Sequence, residues 1–258
     1  MIDLHSHLLP GVDDGSKSVE QSVRVLERLA EQGVTGVCLT PHLLASVAAL
    51  GVPESQDRAF QGLRLAAPSQ PALYRGAEVM LDRPLDASVA EHRRLTLNGS
   101  RYILVEFPRL VAAQTVAHAL ELVTAIGLVP LLAHPERYRC CRPEVVRRWK
   151  ANGALMQLDG PTLLSPRPRG ARARELLEAG LGDVIAADNH GDDRSLATVA
   201  EAMQVQGGTA HAEQLLVENP RAIVEDREVE PVPGFSWRVS IADRIRALLG
   251  GGEDGERS

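Results

Sequence analysis

Residues 1–18 read MIDLHSHLLPGVDDGSKS, and they contain the unit from which the fold is built. Met1 to His5 is a short apolar run of strand type. His5 and His7 close it, two metal-type side chains one serine apart, and Asp14 lies in the loop beyond. Ser18 to Gln32 then places Val19, Val23, Leu26 and Leu29 at helical spacing, and Gly33 ends the helix. The unit is therefore a strand, a polar loop and an amphipathic helix.

Working outward, the same unit recurs. Strands are predicted over Gly36 to Thr40, Ala72 to Arg75, Tyr102 to Phe107, Leu128 to Ala133, Leu155 to Leu158 and Val184 to Ala187. Helices are predicted over Val111 to Ile126, with Gly127 as its stop, and over Glu144 to Ala151. Arg174 to Ala179 and Ser195 to Gln206 also lie on helices, and Ala45 to Pro71 is a helical excursion between two strands. About seven β–α units in series imply a parallel sheet with helices outside it, either open or closed into a barrel. A chain of 258 residues suits one barrel domain. No linker divides it, so residues 1–249 are expected to form a single domain. The Gly-rich, charged segment 250–258 is expected to be a flexible tail.

Composition excludes several functions. Aromatic residues make up 3%, too few for a base-stacking platform. The net charge of -6 gives no general attraction to nucleic acid or to an anionic membrane. The run Arg167, Arg169, Arg172 and Arg174 reads as a solvated helix start. Cys38 reads as a packed small hydrophobe, and Cys140 and Cys141 are sequence neighbours poorly placed to bond each other. No disulfide framework, leader or membrane-spanning stretch is evident, so a cytoplasmic location is expected.

The polar residues fall at informative places. His42 follows strand two, Glu78 follows strand three and Glu106 ends strand four. His134 ends strand five, and Asp188 and His190 follow the Val184 to Ala187 strand. In a β/α barrel the C-terminal ends of all strands meet on one face. Taken singly, each residue is explained as a surface or core side chain. Taken jointly with His5, His7 and Asp14, they form a set of nine metal-type side chains on that face. Imidazole suits zinc, iron and manganese, and carboxylates favour harder cations or bridge two ions. A structural zinc site closes with four ligands, so nine candidates imply two or three ions with open positions. Such clusters lower the pKa of water and neutralise a phosphoryl group during displacement. His92, His118 and His211 receive no role.

These residues sit in stretches that resemble the polymerase-and-histidinol-phosphatase (PHP) superfamily. More narrowly, they resemble the manganese-dependent protein-tyrosine phosphatases of bacterial capsule and exopolysaccharide operons. The matching stretches are residues 1–18, LTPH at 39–42, GAEV at 76–79, LVEFP at 104–108, LLAHPERY at 131–138, AADNH at 186–190 and ENPRAI at 218–223. The resemblance implies a distorted, TIM-like barrel of seven strands with a trinuclear centre. It implies His5, His7, Asp14, His42, Glu78, Glu106, His134, Asp188 and His190 as metal ligands. It implies manganese as the metal, with iron or zinc as alternatives. It places Arg137 against the substrate phosphate, where a bidentate guanidinium is apt. The competing role for Arg137 is a salt bridge to Glu136. Arg194 is near the place of a second phosphate-binding arginine, shifted by one residue. The implied partner is a phosphotyrosine protein, such as the tail of a bacterial tyrosine kinase.

The chain departs from the pattern at Leu43, where a second histidine is common, and at Ala187 and Gly191, where Ser and Asn are usual. These departures bear on substrate preference and leave the ligand set whole. A formal Cys-x5-Arg match runs from Cys141 to Arg147, but it contains Pro143 and no glycine, a poor phosphate cradle. Two alternatives stand beside the protein phosphatase. One is a small-metabolite phosphatase of histidinol-phosphatase type. The other is a non-catalytic metal-binding regulatory module.

Overall fold

All seven predicted strands are present in the computed structural model, which describes residues 1–238. The tail predicted over residues 250–258 lies outside the described residues. The strands are β1 (Ile2–Asp3), β2 (Gly36–Leu39), β3 (His42–Leu44), β4 (Ala72–Arg75), β5 (Glu78–Met80), β6 (Tyr102–Glu106), β7 (Val129–Ala133), β8 (Leu155–Asp159) and β9 (Val184–Ala186). All their pairings are parallel. They form one sheet of order β1-β2-β4 and a second of order β3-β5-β6-β7-β8-β9.

The two extra strands come from breaks within predicted units. Pro41 has no N–H for the ladder, and it separates β2 from β3. Gly76 begins the break between β4 and β5, where a Cβ would sit 3.0 Å from Leu97 Cδ2 and 3.1 Å from Thr40 Cγ2. Backbone bonds still cross the breaks: Gly76 N–H donates to the Leu39 carbonyl and Glu78 N–H to the Pro41 carbonyl, each at 3.1 Å. An isolated parallel bridge between Ser6 and Asn189 joins the segment after β1 to the segment after β9. The consequence for the site is a correction. His42 and Glu78, expected just past their strands, instead open β3 and β5 and pair with each other.

The helices are α1 (Val19–Glu31), α2 (Ala45–Ala48), α3 (Glu54–Ala66), α4 (Ala113–Ala125), α5 (Pro143–Ala151), α6 (Gly160–Leu164), α7 (Pro168–Glu178), α8 (Leu196–Val205), α9 (Thr209–Glu213) and α10 (Asn219–Val224). Ser18 caps α1 by accepting from the Gln21 amide, and Val25, Leu26 and Leu29 pack with Val37 and Leu39 of β2. Every residue of β6 is buried, as expected of a parallel strand covered on both faces. Its alternate residues enter different clusters. Leu104 packs with Leu4, Leu131 and Val184, whereas Ile103 and Val105 pack with Val116, Leu120 and Val123 of α4. Truncating such a residue, for example Leu104→Ala, typically costs about 2–5 kcal/mol.

Candidate metal centre

His5 and His7 are delivered by the short extended segment after β1. His7 N–H donates to the Asn189 carbonyl at 2.7 Å, and the His7 carbonyl accepts from Ser16 N–H at 2.8 Å. The Asp13–Asp14–Gly15 turn is pressed onto this segment so closely that a Cβ on Gly15 would lie 2.0 Å from the His7 carbonyl oxygen. That approach requires glycine. His134 follows β7 with φ 36°, and Asp188 follows β9 with φ 50°. Both occupy the left-handed region, which costs a non-glycine residue about 1–3 kcal/mol. The strain aims the two side chains back over the strand ends.

Four donor atoms converge at the centre. His5 Nε2 lies 3.1 Å from His7 Nε2, 3.2 Å from Glu78 Oε2 and 3.3 Å from Asp188 Oδ1. His7 Nε2 lies 3.3 Å from both of those oxygens. A tetrahedron with such edges has its centre roughly 2 Å from each corner, the usual distance from a transition metal to imidazole nitrogen or carboxylate oxygen. Glu78 is fully buried, and its Oε2 has no hydrogen-bond partner. Two imidazole nitrogens facing each other with two carboxylates is an arrangement suited to a cation.

The other candidates flank this point. His134 Nε2 is 2.9 Å from Glu78 Oε1 and 3.9 Å from Glu106 Oε2. His42 Nδ1 is 3.0 Å from Glu78 Oε2 and 3.2 Å from Glu106 Oε1. On its other side, His42 Nε2 is 3.4 Å from Asp14 Oδ1, which is 3.5 Å from His190 Nε2. Four overlapping groups result: His5, Glu78 and His134; His5, His7 and Asp188; His42, Glu78 and Glu106; and His7, Asp14, His42 and His190. In each, one donor atom per residue lies within 4.8 Å of all the others. All nine residues singled out in the sequence fall in these groups, and His92, His118 and His211 fall in none.

The electrostatics demand positive charge. Burial works against a charged His7, yet hydrogen bonds to Asp13, Asp188 and Glu78 raise its pKa well above the usual histidine value. Burial likewise opposes charge on His42, but Glu106 and Glu78 push it up to about 10. Burial would raise Glu78, and His5, His134 and His42 hold it well below the ordinary carboxylate range instead. Four carboxylates here face two arginines. The chemistry of the donor set therefore fits divalent cations, which can take the place of the imidazole protons.

Residues outside the predicted set support it. Asp13 Oδ2 accepts from His7 Nδ1 at 2.8 Å and also meets the His42 amide. Gln157 Oε1 lies 2.9 Å from His5 Nδ1. These contacts aim the two Nε2 atoms at the centre, the usual arrangement behind metal-binding histidines. Asp13 was legible in the DDG turn, where its neighbour Asp14 drew the attention. Gln157 gives no local signal, since it lies inside a strand and becomes relevant only through β8 pairing with β7. Asp13→Asn and Gln157→Leu are each expected to lower metal affinity or activity by about 10–100-fold with an intact fold. Titration with manganese followed by turnover measurements checks this; unchanged affinity and turnover in both variants would show that the contacts are incidental.

Arg137 does not pair with Glu136. It donates to Asp159 at 2.8 Å and also to Asp188. The Glu136 carboxylate instead accepts from the Asp159 amide at 3.0 Å. Arg194 donates to Asp192 at 2.8 Å and to the Asp188 carbonyl. Both arginines thus reach the Asp188 corner of the centre. The departures also have structural reasons. Leu43 is buried in the main core with Val79, while His42 and Leu44 face the other way. Gly191 has φ 82°, and a Cβ there would meet Gln21 Nε2 at 2.5 Å.

The family model for capsular polysaccharide synthesis proteins CpsB/CapC matches residues 1–225. The chain belongs to the CpsB/CapC family. The tyrosine-protein phosphatase CpsB of Streptococcus pneumoniae is 29% identical over 241 residues, spanning 88% of this chain and 99% of that protein. The tyrosine-protein phosphatase YwqE of Bacillus subtilis is 29% identical over 198 residues, spanning 74% and 77% respectively. A solved structure described as a unique metal-dependent tyrosine phosphatase, from work on YwqE and CpsB, has TM-score 0.77 and 25% identity. It covers 93% of this chain and 100% of that one. The CpsB/CapC match contains all nine candidate ligands together with Arg137 and Arg194.

Proposed function

We propose that this CpsB/CapC protein is a metal-dependent protein-tyrosine phosphatase of capsule or exopolysaccharide synthesis, acting on a phosphotyrosine protein such as a bacterial tyrosine kinase. The observation that carries this is the convergence of His5, His7, Glu78 and Asp188 on one point, with two arginines at its edge. We read the centre as three sites sharing the nine ligands: His5, His7 and Asp188; Glu78, Glu106 and His134; and Asp14, His42 and His190. Bound there, two or three divalent ions, manganese foremost and iron or zinc as alternatives, supply water of lowered pKa and neutralise phosphoryl charge.

The chain's own groups do the rest. Asp159 and Asp188 hold the Arg137 guanidinium at the centre, and Thr162 Oγ1 donates to the same Asp159 oxygen at 2.8 Å. Arg137 is only partly exposed, and its unspent N–H donors suit the non-bridging oxygens of a phosphate. Asp192 fixes Arg194 across the Asp188 corner, where it adds positive charge to the developing transition state. The continuation of β2 into β3 and of β4 into β5, with the Ser6–Asn189 bridge, supports a distorted seven-stranded barrel as the frame. No helix among the described residues is long and apolar enough to cross a membrane. A cytoplasmic setting is our reading of the absent disulfides: Cys38, Cys140 and Cys141 are free.

A cysteine nucleophile has no support here. Cys141 is buried, and burial with Glu136 and Cys140 nearby pushes its thiol up to about 12. Cys141→Ser should keep turnover within about twofold, since no thiolate forms near neutral pH; a well-folded but inactive variant would reverse this assignment. The substrate is tested by comparing phosphotyrosine peptides with phosphoserine peptides and histidinol phosphate. Preference for phosphotyrosine is expected. Faster turnover of histidinol phosphate would favour the metabolite phosphatase, and no turnover with any divalent metal would favour a binding module.

A further inference from the structure

Away from the metal centre, the outer edge of β4 carries a concentration of positive charge that the phosphatase reading does not use. β4 is the edge strand of its sheet, and its side is only partly covered by residues 97–99. A pocket of about 390 Å³ opens there between α3, β4 and the segment 93–99. Arg64, Arg75, Arg93 and Arg94 line it, with Phe60 and Leu73 as its apolar wall. On a chain of net charge -6, four guanidiniums around one cavity are a local inversion of sign.

The arginines are organised. The Arg75 guanidinium stacks on the Phe60 ring, 3.9 Å from its centroid. Asp57 bridges two of them, meeting Arg94 at 2.6 Å with one oxygen and Arg75 with the other. Arg93 donates to the Ser100 carbonyl at 3.2 Å. Arg64 lines the pocket from α3 with no hydrogen bond or ion pair among the described residues. Asp57 neutralises about one of the four charges, and most of the N–H donors stay unspent, since each guanidinium carries five. Planar guanidiniums in this density match phosphate oxygens in bidentate fashion. The cavity lies within the size range of small-ligand pockets, and its apolar wall suits an organic group attached to the anion.

We propose that this pocket binds a small organic diphosphate, with the phosphoryl groups on Arg64, Arg93 and Arg94 and the organic moiety against Phe60 and Leu73. The site is separate from the metal centre, and Arg75 is joined to Glu78 only through Gly76 and Ala77 along the chain. Binding is therefore measurable without reference to hydrolysis.

The test uses ADP as a probe in isothermal titration calorimetry with the metal-loaded protein, with adenosine as the control. Wild type should bind ADP saturably and adenosine not at all. Arg64→Ala/Arg93→Ala should weaken ADP binding about tenfold or more while aryl phosphate turnover stays within about twofold, because charge-assisted contacts of this kind are worth about 1.5–3 kcal/mol each. The single variant Arg64→Ala, which removes no contact within the chain, should show an intermediate loss and guards against a folding defect in the double variant. Raised salt should weaken binding to wild type more than to the variants. ADP affinity unchanged in all variants would place the anion at the metal centre and overturn the proposal. No saturable binding of ADP, or binding of an acidic phosphopeptide here in its place, would overturn it as well.

Discussion

Glu78→Gln is expected to abolish measurable phosphotyrosine hydrolysis, lowering kcat by on the order of 10³ or more, and to leave the protein short of bound metal. The carboxylate is fully buried at the start of β5 and meets His5, His7, His42 and His134 at 2.9–3.3 Å. It belongs to two of the four ligand groups, so it is the residue that ties the centre together. Glutamine keeps the shape and removes the charge. Its amide also presents N–H donors where a cation must sit, so binding of more than one ion should suffer. Metal ions supply several kcal/mol of transition-state stabilisation in such centres, and each 1.36 kcal/mol is tenfold in rate. Metal content by mass spectrometry and turnover of a phosphotyrosine peptide, with circular dichroism as a fold control, measure the effect. A folded Glu78→Gln protein with full metal content and kcat within tenfold of wild type would refute the assignment of Glu78 as a shared ligand.

The second large effect is on stability. Stripping divalent ions with a chelator should lower the melting temperature, and adding manganese should restore it. The site gathers four carboxylates and five histidines, many of them buried, and strains the backbone at His134 and Asp188 to do so. An ion that binds only the folded chain contributes about 2.7 kcal/mol when its free concentration is a hundred times its Kd. For a chain of this size that corresponds to roughly 5–10 °C per ion. Differential scanning fluorimetry at fixed pH reads it directly. The shift should shrink strongly in Asp188→Asn, which removes a corner of the tetrahedral group and a partner of Arg137. Equal melting curves with chelator and with manganese would argue against a cation site at this centre.

Much of this was legible in the sequence, for identifiable reasons. The strands were visible because parallel strands buried on both faces are continuous apolar runs, as in YILVE of β6 and LMQLD of β8. The candidate ligands were visible because each sits at or near the end of such a run. What local pattern could not show was what pairing in three dimensions creates. β3 and β5 are three residues long, too short to display a period of two, so His42 and Glu78 were placed after strands and not within them. Gln157 is one polar residue in a buried strand, and only its contact with His5 Nδ1 reveals its role. The partners of Arg137 lie 22 and 51 residues away in sequence, whereas its adjacent acid, Glu136, turned out to serve the Asp159 amide. The arginine pocket draws on α3, β4 and the 93–99 segment, so no single stretch announces it.

The centre itself is most directly tested by metal analysis coupled to activity on one preparation. Purified protein should contain two to three divalent ions per chain. Phosphotyrosine hydrolysis should disappear as they are removed by exhaustive chelation and return with manganese in proportion to the ions rebound. Full hydrolysis by metal-free protein, or metal rebinding to full stoichiometry with no return of hydrolysis, would contradict the account.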